Sequence, residues 1–317
     1  MSVVGIDIGT SRVRIAYGRG AGRMAEIEAV IARDLPADSS ADGEVVDADL
    51  VATVIEDMIG ELGVRARDCV CAVGPPVASL RLLQLPRMSP LDRERAARID
   101  VERRLGRATN DVIVRTSPVT GLLDGYLVGA VAGRALRSRT AAVRRAGLRA
   151  RAVDFEGSAL ARAFPDADAI LDVGTARATL HAVRDGIPTT LWSPIGGAAV
   201  TAAIREDLGV EQRAAETRKR SVGAAGAGAA AFEEVVAEAS TLVRSARRRN
   251  CSIERLALFG NGSRLTGLRA ALERAGDVRV VAARPAGLSA DAYPDDVALV
   301  GAADWGLAIG LARWDRR

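Results

Sequence analysis

Apolar residues run almost unbroken through 3–9 and return through 12–18 and 24–33, with turn residues between them. Short apolar runs rich in β-branched residues predict three strands of one meander. Gly18 to Gly22 form its first hairpin loop. That loop joins two strands and precedes no helix, so its glycines serve the turn and not a phosphate. Residues 34–46 are a polar loop. The spacing over 47–62 predicts an amphipathic helix capped by Asp47. Residues 69–73 then form a strand that ends at the Gly74-Pro75-Pro76 break.

From Val77 to about Ser138 the pattern changes. Alternating Val77, Ser79 and Arg81 predict an extended segment. Ser89-Pro90 opens a highly charged helix to about Leu105, whose charges read mainly as a solvated face. Residues 112–119 and 126–132 are paired strands joined by the turn at Leu123-Asp124-Gly125. A helix over 134–146 and a strand over 149–155 follow.

The second half repeats the first. A strand begins at Ala169, and Asp185-Gly186 is a type I′ hairpin signal between 179–183 and 188–193. Helices are expected over 197–208 and 211–220. A Gly/Ala link over 223–230 leads to a long amphipathic helix over 232–249. A strand over 253–259, a helix over 265–274 and a strand over 279–282 come next. The final helix, 297–313, has small residues that suit close packing back on the first half.

Length and composition narrow the class. A chain of 317 residues buries a large core and suggests two domains. The longest apolar stretch, 297–311, is interrupted by Asp304 and is too short for a membrane span. The chain enters a strand at once, which reads as no signal peptide. Cys69, Cys71 and Cys251 make no Cys-x-x-Cys pair and read as buried thiols of a reducing cytoplasm. The net charge is +4, Lys219 is the one lysine, and aromatic stacking platforms are few. That combination argues against a nucleic-acid surface. His181 stands alone in mid-strand and reads as packing, and Arg247-Arg248-Arg249 complements a helix C-terminus.

The candidate chemistry lies in a repeat. Val3 to Thr10 runs as a strand into Asp7-Ile8-Gly9-Thr10, and Ala169 to Thr175 runs as a strand into Asp172-Val173-Gly174-Thr175. In each copy a second strand follows. Glycine at such a turn lets backbone N–H groups converge on an anion, and the neighbouring Asp suits a metal ion that shares the anion's charge. One copy alone is usually a hairpin turn. Two copies predict similar halves facing each other across one phosphate, the geometry of a nucleotide cleft. A third segment, Leu256 to Leu268, runs from a buried strand through Gly260-Asn261-Gly262 into a helix, which fits an adenosine contact.

These three segments resemble the phosphate 1, phosphate 2 and adenosine motifs of the actin-like ATPase superfamily. Arg81 to Ser89, Ile195 to Ile204, Ala215 to Gly223 and Gly306 to Ala312, in that order, resemble the PilM-type ATPase family of type IV pilus assembly, a relative of FtsA. The resemblance covers nearly the whole chain. It implies an α/β actin-like fold of two ribonuclease-H-like domains, with a small α/β subdomain inserted in domain I and a small helical subdomain in domain II. The implied division is domain I core 1–76 and 134–155, inserted unit 77–133, domain II core 156–204 and 251–296, helical subdomain 205–250, and a C-terminal helix 297–317 packing back on domain I.

The same resemblance assigns roles. Asp7 and Asp172 would hold Mg²⁺, mostly through water. Gly9, Thr10, Ser11, Gly174 and Thr175 would donate to the phosphates of ATP. Arg14 stands where the family usually has Lys, and its planar fork is not a geometric equivalent. Glu216 and Lys219, one helical turn apart, match the ribose and adenine-edge pair. Gly260, Gly262 and Arg264 would line the adenine side. Glu156 is the residue that matches the water-orienting position, with helix capping as its other reading, so at most slow ATP hydrolysis is implied. The partner implied is the cytoplasmic N-terminal tail of a bitopic inner-membrane platform protein, with 77–85 bordering its groove between the first sheet and the inserted unit. That places the chain in the cytoplasm, held at the membrane by its partner, with self-association open. An FtsA-like filament and an actin-superfamily small-molecule kinase are the competing readings. The chain stops soon after the packing helix, against the first. It has no recognisable sugar-binding loop, against the second.

Overall fold

The computed structural model describes residues 2–20, 22–105, 110–184, 187–223, 226–260, 262, 265–281, 284–288 and 304–315. The chain opens with β1 (Ser2–Ile8), β2 (Arg12–Arg19) and β3 (Glu26–Asp34), an antiparallel meander. A two-residue ribbon, β4 (Ser40–Ala41) with β5 (Glu44–Val45), leads into α1 (Ala48–Leu62). Asp47 caps α1 as expected, accepting from the Asp49 and Leu50 amides at 3.0 Å each. At the other end Gly63 turns left-handed at φ 62° and stops the helix. Then come β6 (Asp68–Val73), β7 (Ala78–Gln84), α2 (Pro90–Leu105), β8 (Val112–Pro118), β9 (Gly125–Ala132), α3 (Gly133–Arg145) and β10 (Arg149–Phe155).

The second half begins with α4 (Glu156–Ala163) and continues through β11 (Ala169–Val173), β12 (Ala178–Arg184) and β13 (Ile187–Ser193). Next are α5 (Gly197–Leu208), α6 (Gln212–Ser221), α7 (Ala229–Arg248), β14 (Arg255–Phe259), α8 (Leu268–Gly276), β15 (Arg279–Val281) and α9 (Gly306–Ala312). Two five-stranded sheets result, ordered β10-β6-β1-β2-β3 and β13-β12-β11-β14-β15. Each is an antiparallel meander extended by two parallel strands from its first strand. β1 therefore corresponds to β11, β2 to β12, and β6 to β14, and the sequence repeat is a repeat of topology.

Between the sheets lie α4 and α9. Leu160 of α4, Phe164 just after it, and Leu307 and Leu311 of α9 pack in a single buried cluster with Val3, Val70 and Ala72 of the first sheet. Ile170, Ala257 and Phe259 complete the cluster from the second sheet. Ala308, Ile309 and Ala312 meet Ala16, Ile27 and Val30, so α9 lies against the first sheet. Burying this much aliphatic surface between two sheets locks the halves at the base of the cleft. No described helix is long and apolar enough to cross a membrane.

Several expectations shift. The extended segment around 77–85 is a full strand: β7 pairs along its length with β9, giving a three-stranded antiparallel sheet β7-β9-β8 where two strands were expected. α8 starts at Leu268, not 265, because Gly267 sits left-handed at φ +87° immediately before it. α9 is helical from Gly306; residues 297–303 of the expected final helix lie outside the described residues, as does the Asp185-Gly186 turn.

A candidate nucleotide cleft

The two Asp-x-Gly-Thr turns adopt the same local structure. In the first, the Gly9 amide donates to the Arg12 carbonyl at 2.9 Å; in the second, the Gly174 amide donates to the Arg177 carbonyl at 2.9 Å. Asp7 sits opposite Arg14 in its hairpin, and Asp172 opposite Thr179. The turns face each other: Ser11 Oγ lies 3.4 Å from Thr175 Oγ1. The second turn is pinned from behind, since the Gly197 and Ala198 amides donate to the carbonyls of Gly174 and Thr175, both at 2.9 Å.

Below the turn tips lies a narrow cavity of about 90 Å³, lined among others by Asp7, Gly9, Thr10, Arg14, Glu156 and Asp172. Burial pushes the Asp7 carboxyl up, and the Arg14 and Arg139 guanidiniums offset this only in part. Arg14 Nη1 stands 3.6 Å from Asp7 Oδ2. Burial, followed by the charges of Glu156 and Asp7, pushes Asp172 up to about 8. Burial raises Glu156 as well, against the pull of Arg139 and Arg177. Three carboxylic acids that line one cavity repel one another once ionised, an arrangement that a bound cation would relieve. No three described His, Cys, Asp or Glu side chains stand close enough to ligate a metal directly. The donor set therefore fits Mg²⁺ held through water and phosphate oxygens.

Glu156 is the first residue of α4, yet no side chain caps that helix. Its carboxylate instead lies against Gly74, where a Cβ would stand 1.9 Å from Glu156 Oε2. Gly260 does the same for the other lip. It is left-handed at φ +75°, and a Cβ there would come within 2.1 Å of Asp172 Oδ1.

Above the tips the cleft widens to about 620 Å³, lined by Gly197, Thr201, Glu216, Lys219, Gly262 and Leu265 among others. Lys219 Nζ donates to the Gly197 carbonyl at 3.1 Å and to Thr201 Oγ1 at 2.8 Å, and pairs with Glu216 at 2.6 Å. Burial pushes the Glu216 carboxyl up, but hydrogen bonds from Lys219 and Thr201 outweigh it and hold it below its ordinary value. The pair is thus fixed on the wall of α6, where it presents both a donor and an acceptor to the cavity. Ser11, Gly174 and Thr175 line both cavities and join them.

The structure so brings together Asp7, Gly9, Thr10, Ser11, Arg14, Glu156, Asp172, Gly174 and Thr175 at the narrow end, and Glu216, Lys219 and Gly262 at the wide end. Gly260 departs from its expected place: it borders the carboxylates and not the adenine side. Arg264 lies outside the described residues. Three charged cavity residues escaped sequence reasoning: Arg12, Arg139 and Arg177. Arg139 lies mid-helix in α3 with no local motif. Arg177 follows Thr175 by two positions in the second turn, and that position was the available signal.

His181 lines a separate small cavity with Gly74, Gly157 and Thr190. It is buried in β12, with Nδ1 3.0 Å from Thr190 Oγ1, and burial pushes it down to about 4. An unfolded histidine titrates near 6.5, so stability is full above that value and falls as pH drops from about 6.5 through about 4, by up to about 1.4 kcal/mol per pH unit. Urea unfolding across this window should show a steeper acid loss in the wild type than in His181→Asn. Equal slopes would remove His181 as the cause.

Two similar α/β halves closed over paired phosphate-type turns define the actin-like ATPase fold. A profile of the type IV pilus assembly protein PilM matches residues 5–313. The chain belongs to the PilM family. Among solved structures it is similar to the PilM-PilN type IV pilus biogenesis complex, with 24% identity over 98% of this chain and 97% of that one and a TM-score of 0.84. It is also similar to the ethanolamine utilization protein EutJ from Carboxydothermus hydrogenoformans, with 15% identity over 99% of this chain and 90% of that one and a TM-score of 0.63. Among curated protein sequences, none matches.

Proposed function

We propose that this PilM-family protein binds Mg²⁺-ATP in the cleft and uses it as a conformational switch while docking the cytoplasmic N-terminal tail of a single-span inner-membrane platform protein. The observation that carries the nucleotide half is the 3.4 Å approach of Ser11 to Thr175 directly above the Asp7, Glu156 and Asp172 carboxylates. Opposed turns contribute from both halves, so ligand contacts favour the closed arrangement over an open one, which is the requirement for a population shift. Bound ATP supplies the phosphoryl group. Asp7 and Asp172 would hold its Mg²⁺ through water, the glycine turns would donate to its phosphates, and Glu216 and Lys219 would orient its nucleoside end.

The partner half rests on a second groove. The free edge of β7 faces the free edge of β13, and a space of about 670 Å³ opens between them, lined by Leu80, Leu82, Gln84, Ile187, Thr189 and Trp192 among others. This groove lies between the inserted sheet and the second half, a different place from the one expected between the first sheet and the inserted unit. An unpaired strand edge beside exposed Leu82 and Trp192 suits an extended peptide that adds main-chain hydrogen bonds and fills side-chain pockets. The similarity to a PilM-PilN complex supports a platform partner for it.

Hydrolysis should be slow. Glu156 is the carboxylate we assign to orienting water, and burial favours its neutral form, which cannot accept a proton. In a single-turnover phosphate-release assay, Glu156→Gln is expected to lower the rate by at least about tenfold with ATP affinity little changed. An unchanged rate removes Glu156 from that role.

A further inference from the structure

Four arginines line the narrow cavity: Arg12, Arg14, Arg139 and Arg177. Arg12 is engaged by Asp34, its Nε donating to Asp34 Oδ1 at 2.6 Å. Arg14 pairs with Asp7. Arg139 is committed to the main chain, with Nη1 donating to the Ile8 carbonyl at 3.0 Å and Nε and Nη2 donating to the Gly43 carbonyl at 3.3 and 3.2 Å. Arg177 differs. Its Nη1 is buried and has no hydrogen-bond partner among the described residues. Buried donors of native proteins are almost always paired, and one left open on a cavity wall points to an acceptor brought by a ligand. The Arg177 backbone is fixed meanwhile, since its carbonyl closes the second turn by accepting from the Gly174 amide.

Its position along the cleft decides which part of a ligand it meets. Glu216, Lys219 and Gly262 line only the wide cavity, whereas Asp7, Glu156, Asp172 and Arg177 line only the narrow one. Ser11, Arg12, Gly174 and Thr175 line both. A nucleotide with its base at the wide end threads its phosphates between the turn tips and ends beside Arg177. The narrow cavity, about 90 Å³, suits one phosphoryl group. Building on the nucleotide reading above, we infer that Arg177 grips the terminal phosphate and thereby sets a preference for nucleoside triphosphate over diphosphate. A guanidinium presents parallel N–H donors that match phosphate oxygens. It also places positive charge among Asp7, Glu156 and Asp172, which would otherwise repel that phosphate.

The test is calorimetric titration of the full chain with Mg²⁺ and either the non-hydrolysed triphosphate AMPPNP or ADP. For Arg177→Gln the triphosphate affinity should fall roughly ten- to hundred-fold while ADP affinity stays within about twofold. Arg177→Lys should recover part of the loss, since charge returns without the fork. Thermal melting of each variant checks that the fold is kept. Equal weakening of both ligands, or of neither, overturns the inference. A wild type that binds neither ligand overturns the nucleotide reading itself, which separates the two failures.

Discussion

Asp172→Asn is expected to abolish magnesium-dependent ATP binding and, in the same molecule, to make the ligand-free protein more stable at alkaline pH. The two effects have one cause. Burial and the charges of Glu156 and Asp7 push the Asp172 carboxyl up to about 8. In the unfolded chain it titrates near 4, so the folded state holds a proton that the unfolded state has lost. The stability lost grows as pH rises from about 4 towards about 8, by up to about 1.4 kcal/mol per pH unit, and levels off above. Asparagine keeps the shape and removes the slope. It also removes an anion from the proposed Mg²⁺ site. Calorimetry with Mg²⁺-ATP and thermal melts at pH 6 and 8 read both sides. An Asn variant that binds as well as the wild type, or melts no higher at pH 8, contradicts the assignment.

Leu82→Glu and Trp192→Glu are each expected to eliminate capture of the partner tail while leaving ATP binding intact. Leu82 is 41% exposed and Trp192 44%, and both line the groove between β7 and β13. Burying a carboxylate there against a peptide without a paired cation is strongly unfavourable. Leu83 points the other way, into the cluster formed by Ala97, Val101, Val114, Val128 and Ala130. Leu83→Glu should therefore destabilise the inserted unit, a folding defect and not a binding one. Pull-downs with the cytoplasmic tails of candidate single-span partners, read beside circular dichroism, tell these apart. Tail capture that survives both groove substitutions would place the partner elsewhere.

What the sequence made legible was mostly local. Gly196 and left-handed Gly209 bracket α5, so both ends of that helix were readable, and Asp47 announced α1. The two hairpins were readable because each carries its own turn chemistry within a few residues. Non-local facts were not. That β7 pairs with β9 depends on a strand some forty residues later. Which alternate face of β7 meets the groove depends on that pairing: Leu80, Leu82 and Gln84 take one side, Leu83 the other. Arg139 reaches the Ile8 carbonyl from the middle of a helix far along the chain, which no spacing foretells. Gly260 was legible as a turn glycine, but its contact with Asp172 required β14 to lie beside β11.

In the proposed mode of binding, two turns from different halves of the chain grip one nucleotide. Amide hydrogen exchange of the full chain with and without Mg²⁺-ATP tests it most directly. Protection should appear together at 9–12, at 174–177 and along α6 around Glu216 and Lys219, and should vanish when Mg²⁺ is chelated. Protection of one turn alone, or of neither, would contradict the account.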